Sequence, residues 1–195
     1  MKTIKHEDNL ERARFLESER IFLTPLSIED AEYHYYMEND RELALLDGGD
    51  FRPHTLTGLR EDIEGTAKQK DLMFFSIILK ESGENIGNIV LYRILEYHRR
   101  ANWGIKLRKP FWRLGYGTEA ARLLIRYAFE DLGLQRLKCD TNEKNVASIR
   151  FQESLGFVRE GCMRRERYVQ GEYLDDVLYG MLRSEYLESS LFKDS

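Results

Sequence analysis

Between Ala101 and Leu132 an apolar, strand-like run passes through a basic loop straight into an amphipathic helix, ANWGIKLRKPFWRLGYGTEAARLLIRYAFEDL. Gly115 and Gly117 let the backbone of that loop curl with its N–H groups inward, and no Cβ keeps a ligand away from it. The following helix points its positive dipole end at the same spot. Ala121, Leu124, Ile125, Ala128, Phe129 and Leu132 recur at helical spacing, so one stripe is buried and the loop is fixed to a sheet. Gly133 ends the helix as a C′ residue. Two glycines alone mark a turn; strand, basic loop and helix in that order mark a phosphate-binding element.

The rest of the chain supplies the sheet. Residues 1–19 are highly charged with a thin apolar set and read as an extension preceding the domain. Arg20 to Leu26 alternates as an edge strand, where Pro25 is tolerated. Ser27 with Asp30 is a capping-box pattern opening a helix through Tyr33, Tyr36 and Met37. Asp47 to Gly58, with three glycines and a proline, predicts a loop, and Leu59 to Lys68 a short helix. Met73 to Leu79 and Asn85 to Ile94 form a hairpin about Glu81-Ser82-Gly83-Glu84, and Ala101 to Leu107 lies beside them. Arg136 to Thr141 is a short strand, Val146 to Leu155 a helix stopped by Gly156, and Phe157 to Tyr168 with Tyr173 to Leu182 a closing hairpin about Gln170-Gly171-Glu172. The fold class predicted is α/β: one mixed, largely antiparallel sheet with helices on both faces, in a domain over residues 20–187 followed by a tail over 188–195.

Composition excludes several functions. With 195 residues, 42% of them hydrophobic, the chain can bury a core without staples. A net charge of -4 argues against a general nucleic-acid partner. Cys139 and Cys162 are too few for a disulfide framework and fit a reducing cytoplasm. No run suits a signal peptide or a membrane span, and His6, His34, His54 and His98 lack metal-ligand spacing, so a soluble cytoplasmic protein without metal is expected.

The residues now on the page resemble the GNAT superfamily of acetyl-CoA-dependent N-acetyltransferases, over nearly the whole chain from Arg20. The family's pyrophosphate motif, Q/R-x-x-G-x-G/A, is matched by Trp112 to Gly117 except at Trp112, and Phe111 to Ala120 is similar to the F-W-x-x-G-Y-x-T-E-A of its ribosomal-protein N-terminal branch. Asn145-Val146-Ala147-Ser148 with Leu155-Gly156-Phe157 resembles the family's N-x-x-S/A and L-G-F block. HRRANWGIKL looks like the matching stretch of spermidine acetyltransferases.

The resemblance implies that acetyl-CoA is the co-substrate. Its pyrophosphate would be held by backbone amides of Leu114, Gly115, Tyr116, Gly117 and Thr118, with charge from Arg113, which could equally be a solvated cation. Its pantetheine arm would pair with the backbone near Ile105, Leu107 and Arg108. Asn145 would bond to that arm or cap its own helix. Many relatives carry a thiol-protonating Tyr where Gln152 stands, so the role passes to Ser148, whose alternative is a bond to its own helix. Some relatives carry a carboxylate where Asn102 stands; Glu96, or a water chain relayed through backbone carbonyls, could substitute as the base, and for Glu96 an exposed hairpin-end carboxylate is the favoured reading. Tyr33, Tyr36, Tyr92 and Tyr173 are aromatics on amphipathic elements, as apt for core as for an acceptor cleft.

The expected reaction is direct acetyl transfer to a primary amine, either a small molecule or a peptide N-terminus, in a ternary complex. A polyamine acceptor is the alternative, favoured if Glu38, Asp40, Glu42 and Asp47 form an acidic cleft. A non-catalytic acyl-CoA-binding domain is the alternative from another class, and a homodimer is compatible with either. A nucleotide-binding domain is disfavoured, because Thr118-Glu119 follow the glycines where a P-loop needs Lys-Ser/Thr.

Overall fold

The computed structural model describes residues 12–48 and 52–192; the rest of the charged extension, of the Asp47 to Gly58 loop and of the tail lies outside the described residues. In chain order the elements are β1 (Leu16–Glu17), β2 (Ile21–Pro25), α1 (Ala31–Glu38), α2 (Arg41–Asp47), α3 (Leu56–Thr66), β3 (Leu72–Leu79), β4 (Asn85–Leu95), β5 (Arg100–Leu107), α4 (Tyr116–Glu130), β6 (Arg136–Asn142), α5 (Val146–Ser154), β7 (Val158–Val169), β8 (Glu172–Leu182) and α6 (Arg183–Glu188). The strands form one sheet in the order β1-β2-β3-β4-β5-β6-β8-β7. Every neighbouring pair is antiparallel except β5 with β6. The α/β class with a mixed, largely antiparallel sheet is as expected.

Alternation along the strands sorts side chains to two faces. Ala101 and Trp103 of β5 and Leu137 and Cys139 of β6 join the main core, which α4 covers with Ala120, Ala121, Leu123, Leu124, Ile125, Ala128 and Phe129. Phe129, Leu124 and Ile125 are wholly buried, each worth about 1.5–3 kcal/mol relative to exposure. α5 lies on this face too, with Phe151 and Phe157 packed against the Trp103 ring. α4 ends as its sequence predicts: Gly133 is left-handed at φ 63, and the Leu134 amide donates to the Ala128 carbonyl. The opposite face takes α1, α2 and α3.

Four boundaries differ from the sequence reading. β2 is not the edge, because Leu16 and Glu17 pair with Leu23 and Phe22 outside it. The described part of the extension is therefore sheet-bound, and Phe15 stacks on Phe75 and meets Tyr127 edge-on while Arg12 pairs with the buried Asp30 at 2.7 Å. α2 was not foreseen; Asp40 caps it by accepting from the Glu42 and Leu43 amides. α3 begins earlier, at Leu56, because Thr55 accepts from the Gly58 amide at 3.1 Å. The tail contributes to the core: Tyr186 stacks on Phe129, and Phe192 packs on Tyr186, both at 4.9 Å between ring centres.

Candidate active site

β5 and β6 run side by side only from Arg100↔Arg136 to Asn102↔Lys138. Beyond that point they part, while β5 stays paired with β4 as far as Gly87↔Leu107. The Arg108 amide closes the β4–β5 ladder on the Ile86 carbonyl at 2.9 Å. Main-chain polar groups alternate sides along a strand, so those of Lys106 and Gly104 serve β4 and those of Ile105 and Leu107 face the opening. The Gln135 amide donating to the Arg99 carbonyl fixes the same parity at the joined end. A wedge of exposed main chain thus runs up one wall of the fork.

At its mouth lies the glycine loop. Pro110 sits in a 3-10 turn, Lys109–Phe111, directly after the last ladder bond, as a residue without an N–H must. Trp112, the one departure from the motif, holds the loop in place: its indole Nε1 donates to the Leu107 carbonyl at 2.7 Å and ties the loop to the strand end. Arg113 and Gly115 both adopt left-handed backbone, φ 60 and 87, which turns successive amides inward. The first internal bond of α4 is from the Glu119 amide to the Gly115 carbonyl, so the amides of Tyr116, Gly117 and Thr118 precede the helical ladder and stay available to a ligand.

The loop is held from a distance. Glu119 accepts from the Ser18 hydroxyl at 2.6 Å, the Arg20 amide at 2.9 Å and Arg20 Nε at 2.8 Å. Arg20 also donates to the Leu114 carbonyl at 3.0 Å and lies over the Tyr116 ring. Burial pushes the Glu119 carboxyl up, but these donors outweigh it and hold it below the usual range. The glutamate of the T-E-A stretch was the available sequence signal for this clamp; nothing in the sequence marked Arg20 as its partner.

The remaining predicted residues divide. Asn145 caps α5, its Oδ1 accepting from the Ser148 amide at 3.0 Å and its Nδ2 donating to the Leu46 carbonyl at 3.1 Å, so both ends of its amide are engaged within the protein. Ser148 is half-buried on the first turn of α5, and its hydroxyl has no protein partner among the described residues. Gln152, one turn further, is buried with Oε1 unbonded. Arg113 is exposed at the loop. Arg108 is a bracket rather than a ligand-facing group: it pairs with Glu84 at 2.6 Å, donates to the Asn85 carbonyl and lies over the rings of Tyr33 and Phe111. Glu96 lies exposed in the turn between β4 and β5, at the joined end of the fork. The strand rise of about 3.3 Å per residue separates it from the loop at the other end, and the fold does not bring it together with Ser148.

The four carboxylates of the expected acidic cleft are matched by two lysines. Lys106 on β5 pairs with Glu38 at 3.0 Å and Asp47 at 2.8 Å, and Lys109 with Asp40 at 2.9 Å and Glu42 at 2.6 Å. Burial opposes the charge on Lys106, but Asp47 and Glu38 raise its pKa above the ordinary lysine value. Of the tyrosines, Tyr33 packs under Arg108, Tyr36 and Tyr173 are exposed, and Tyr92 stands opposite Asn102 where the fork begins. Among the described residues no group of side chains could hold a metal ion, and no helix is long and apolar enough to cross a membrane.

The arrangement fits acetyl-CoA. A Cβ at Gly117 would stand 3.4 Å from Leu107 Cδ1 and 3.7 Å from the Phe151 ring, so the missing side chain keeps open the passage from the loop into the fork. Comparisons with known proteins agree. Residues 20–158 match the model of the acetyltransferase (GNAT) domain. The chain is 30% identical over 180 residues to p20, an uncharacterized N-acetyltransferase of Bacillus licheniformis, covering 88% of this chain and 97% of that protein. It is 25% identical to the spermidine N(1)-acetyltransferase of Escherichia coli K12 over 85% of this chain and 87% of the other. The fold of Vibrio cholerae spermidine N-acetyltransferase, solved with CoA and spermine, superimposes with a TM-score of 0.81 over 86% of this chain and 98% of that one, at 21% identity.

Proposed function

This chain belongs to the GNAT acetyltransferase family, and from that premise we propose that it transfers the acetyl group of acetyl-CoA to a primary amine carrying a single local charge, a small amine or a peptide N-terminus. The observation that carries the reading is the fork itself, an open strand edge leading from a ring of free helix-end amides to the first turn of α5. The co-substrate supplies an activated acetyl carbonyl, to which the neutral amine nitrogen adds as the carbon–sulfur bond breaks.

The chain's own groups would do the rest. Amides of Tyr116, Gly117 and Thr118, reinforced by the helix dipole and by Arg113, hold a doubly anionic pyrophosphate. The Ile105 main chain and the Leu107 amide orient the arm as a β-partner would, which fixes the thioester near the point where β5 and β6 part. The Ser148 hydroxyl, with no protein partner among the described residues, is placed to hydrogen-bond the departing sulfur and relay to it the proton that the acylated nitrogen gives up, so that the hydroxyl is restored as the thiol leaves. Glu38, Asp40, Glu42 and Asp47 are each already paired with Lys106 or Lys109; the two lysines offset only half of their charge, but they occupy oxygens that a polyamine's several ammonium groups would have to win, which supports an acceptor with one charge.

The test is thiol release from acetyl-CoA against a panel of spermidine, propylamine, aminoglycosides and short peptides, with the acetylated product identified by mass. Turnover with propylamine or peptides at higher kcat/KM than with spermidine is expected, and Ser148→Ala is expected to lower kcat by about 100–10,000-fold without changing CoA affinity. CoA binding without turnover on any amine would replace this reading with a non-catalytic binding domain. A spermidine preference would overturn the acceptor assignment alone.

A further inference from the structure

The fork has a second wall. Asp140 lies on β6 two residues past the last pairing with β5, on the face shared with Lys138 and Asn142. Among the described residues its carboxylate is anchored at one oxygen: Arg167 Nη2 donates to Oδ2 at 2.8 Å. The Arg167 guanidinium is otherwise committed. Nε sits 2.6 and 2.7 Å from the two oxygens of Asp176, and Nη1 donates to the Asp47 carbonyl at 3.0 Å. Burial opposes the charge on Arg167, but Asp176, Asp140 and Asp47 keep it firmly protonated. Asp176 is buried, and Arg167 and Asp140 are half-buried. One fixed positive charge therefore serves two carboxylates, leaving a net negative charge at Asp140 Oδ1.

Continued past its last pair, the register makes Gly104 the β5 position level with Asp140, and Gly104 projects no side chain toward the opening. Tyr92 and Asn102 flank the opening, and the phenol of Tyr92 is raised first by burial and then by the field of Asp140. Lys138 forms no ion pair with Asp140 among the described residues. Lys106, the other cation on this face of β5, is held by Glu38 and Asp47.

We propose that Asp140 is the residue that binds the acceptor ammonium, with Arg167 and Asp176 as positioning residues that hold its free oxygen toward the fork. This rests on the acetyltransferase reading above and names the group within that site that selects a cation. The carboxylate draws in any primary ammonium, which gives up its extra proton to solvent before the neutral nitrogen attacks, and Gly104 adds no side chain to the space beside it.

Steady-state kinetics with propylamine varied at saturating acetyl-CoA provide the test, alongside CoA affinity by calorimetry. Asp140→Asn is expected to raise the KM for propylamine by about 10–100-fold, the loss of one charge-assisted bond, with kcat and CoA affinity little changed. Asp140→Glu recovers most of the loss, which a purely structural role would not predict. Gly104→Val, whose Cβ meets only Val90 Cγ1 at 3.7 Å, keeps the strand intact and raises the same KM by crowding the opening, which holds the proposal open to test if variants at 140 do not fold. Unchanged KM in Asp140→Asn and Gly104→Val, with the wild type active, would overturn this assignment and leave the acetyltransferase reading standing. A wild type inactive on propylamine and every other amine would overturn both.

Discussion

Gly117→Ala separates the stability of the loop from its grip on a ligand. The added methyl group meets Leu107 Cδ1 at 3.4 Å and Phe151 at 3.7 Å, the edge of ordinary contact, so the folded protein accommodates it. Gly117 lies in the first turn of α4 with no positive φ. Replacing it with alanine favours the helix by about 0.5 kcal/mol, part of the interior Gly-to-Ala difference, which corresponds to a rise in Tm of about 1–2 °C for a chain of this length. The same methyl group fills the passage between the loop amides and the fork. A ligand displaced by its width loses at least one charge-assisted contact, about 1.5–3 kcal/mol, or about 10–150-fold in Kd. Differential scanning calorimetry of the apo protein and titration calorimetry with CoA read the two effects independently. A Tm that rises while the Kd for CoA stays unchanged would refute the placement of the ligand at this turn.

Gly115→Ala behaves oppositely. Left-handed backbone at φ 87 and a Cβ only 3.1 Å from Arg20 Nη2 predict a loss of about 1–2 kcal/mol, measurable by urea denaturation, and an unchanged midpoint would count against the strained turn. Glu119→Gln weakens the clamp on Ser18 and Arg20 by about 1 kcal/mol, discounted because Arg20 is 45% exposed. Because the Glu119 pKa is depressed when folded, its contribution is present above the unfolded value of 4.5 and lost as pH falls through the folded one. Wild type and Glu119→Gln should therefore converge in stability as pH falls below 4.5 and through the folded value. His34 is buried with Nε2 unbonded, and burial is the main cause of its lowered pKa, against Glu38 and Asp30. The unfolded chain binds the extra proton, so stability falls as pH drops below 6.5. His34→Phe should flatten that slope in denaturation curves at about pH 7.5 and about pH 5.5, and an undiminished slope would assign it elsewhere.

The phosphate loop, the helix after it and the strand order of the centre were legible because each rests on local pattern: apolar spacing in α4, left-handed glycines at its two ends, β-type runs around short turns. α2 and α6 escaped because RELALLD and RSEYLE are short and carry no long apolar stripe; a cap and tertiary packing decide them. Of the residues the proposed site uses, Gly115 and Gly117 were named from motif spacing and Ser148 from the family resemblance. The Arg108 bracket, the Arg167 network and the pairing of Lys106 and Lys109 with α1 and α2 could not, because each joins residues far apart in sequence and depends on which face a strand presents. Asn145 was read with two roles, and the cap is the one its geometry displays. Glu96 was nominated by chemistry type alone, and its place at the joined end of the fork follows from topology that composition does not encode.

The bond from Arg20 to Glu119 spans 99 positions of chain. A dissected fragment that begins at β3 would keep every residue of the glycine motif and still hold it loosely, since the guanidinium that buttresses Leu114 and Tyr116 would be gone. If the loop holds the cofactor as proposed, its capture depends on the assembled sheet, and no excised peptide bearing the motif should inherit it.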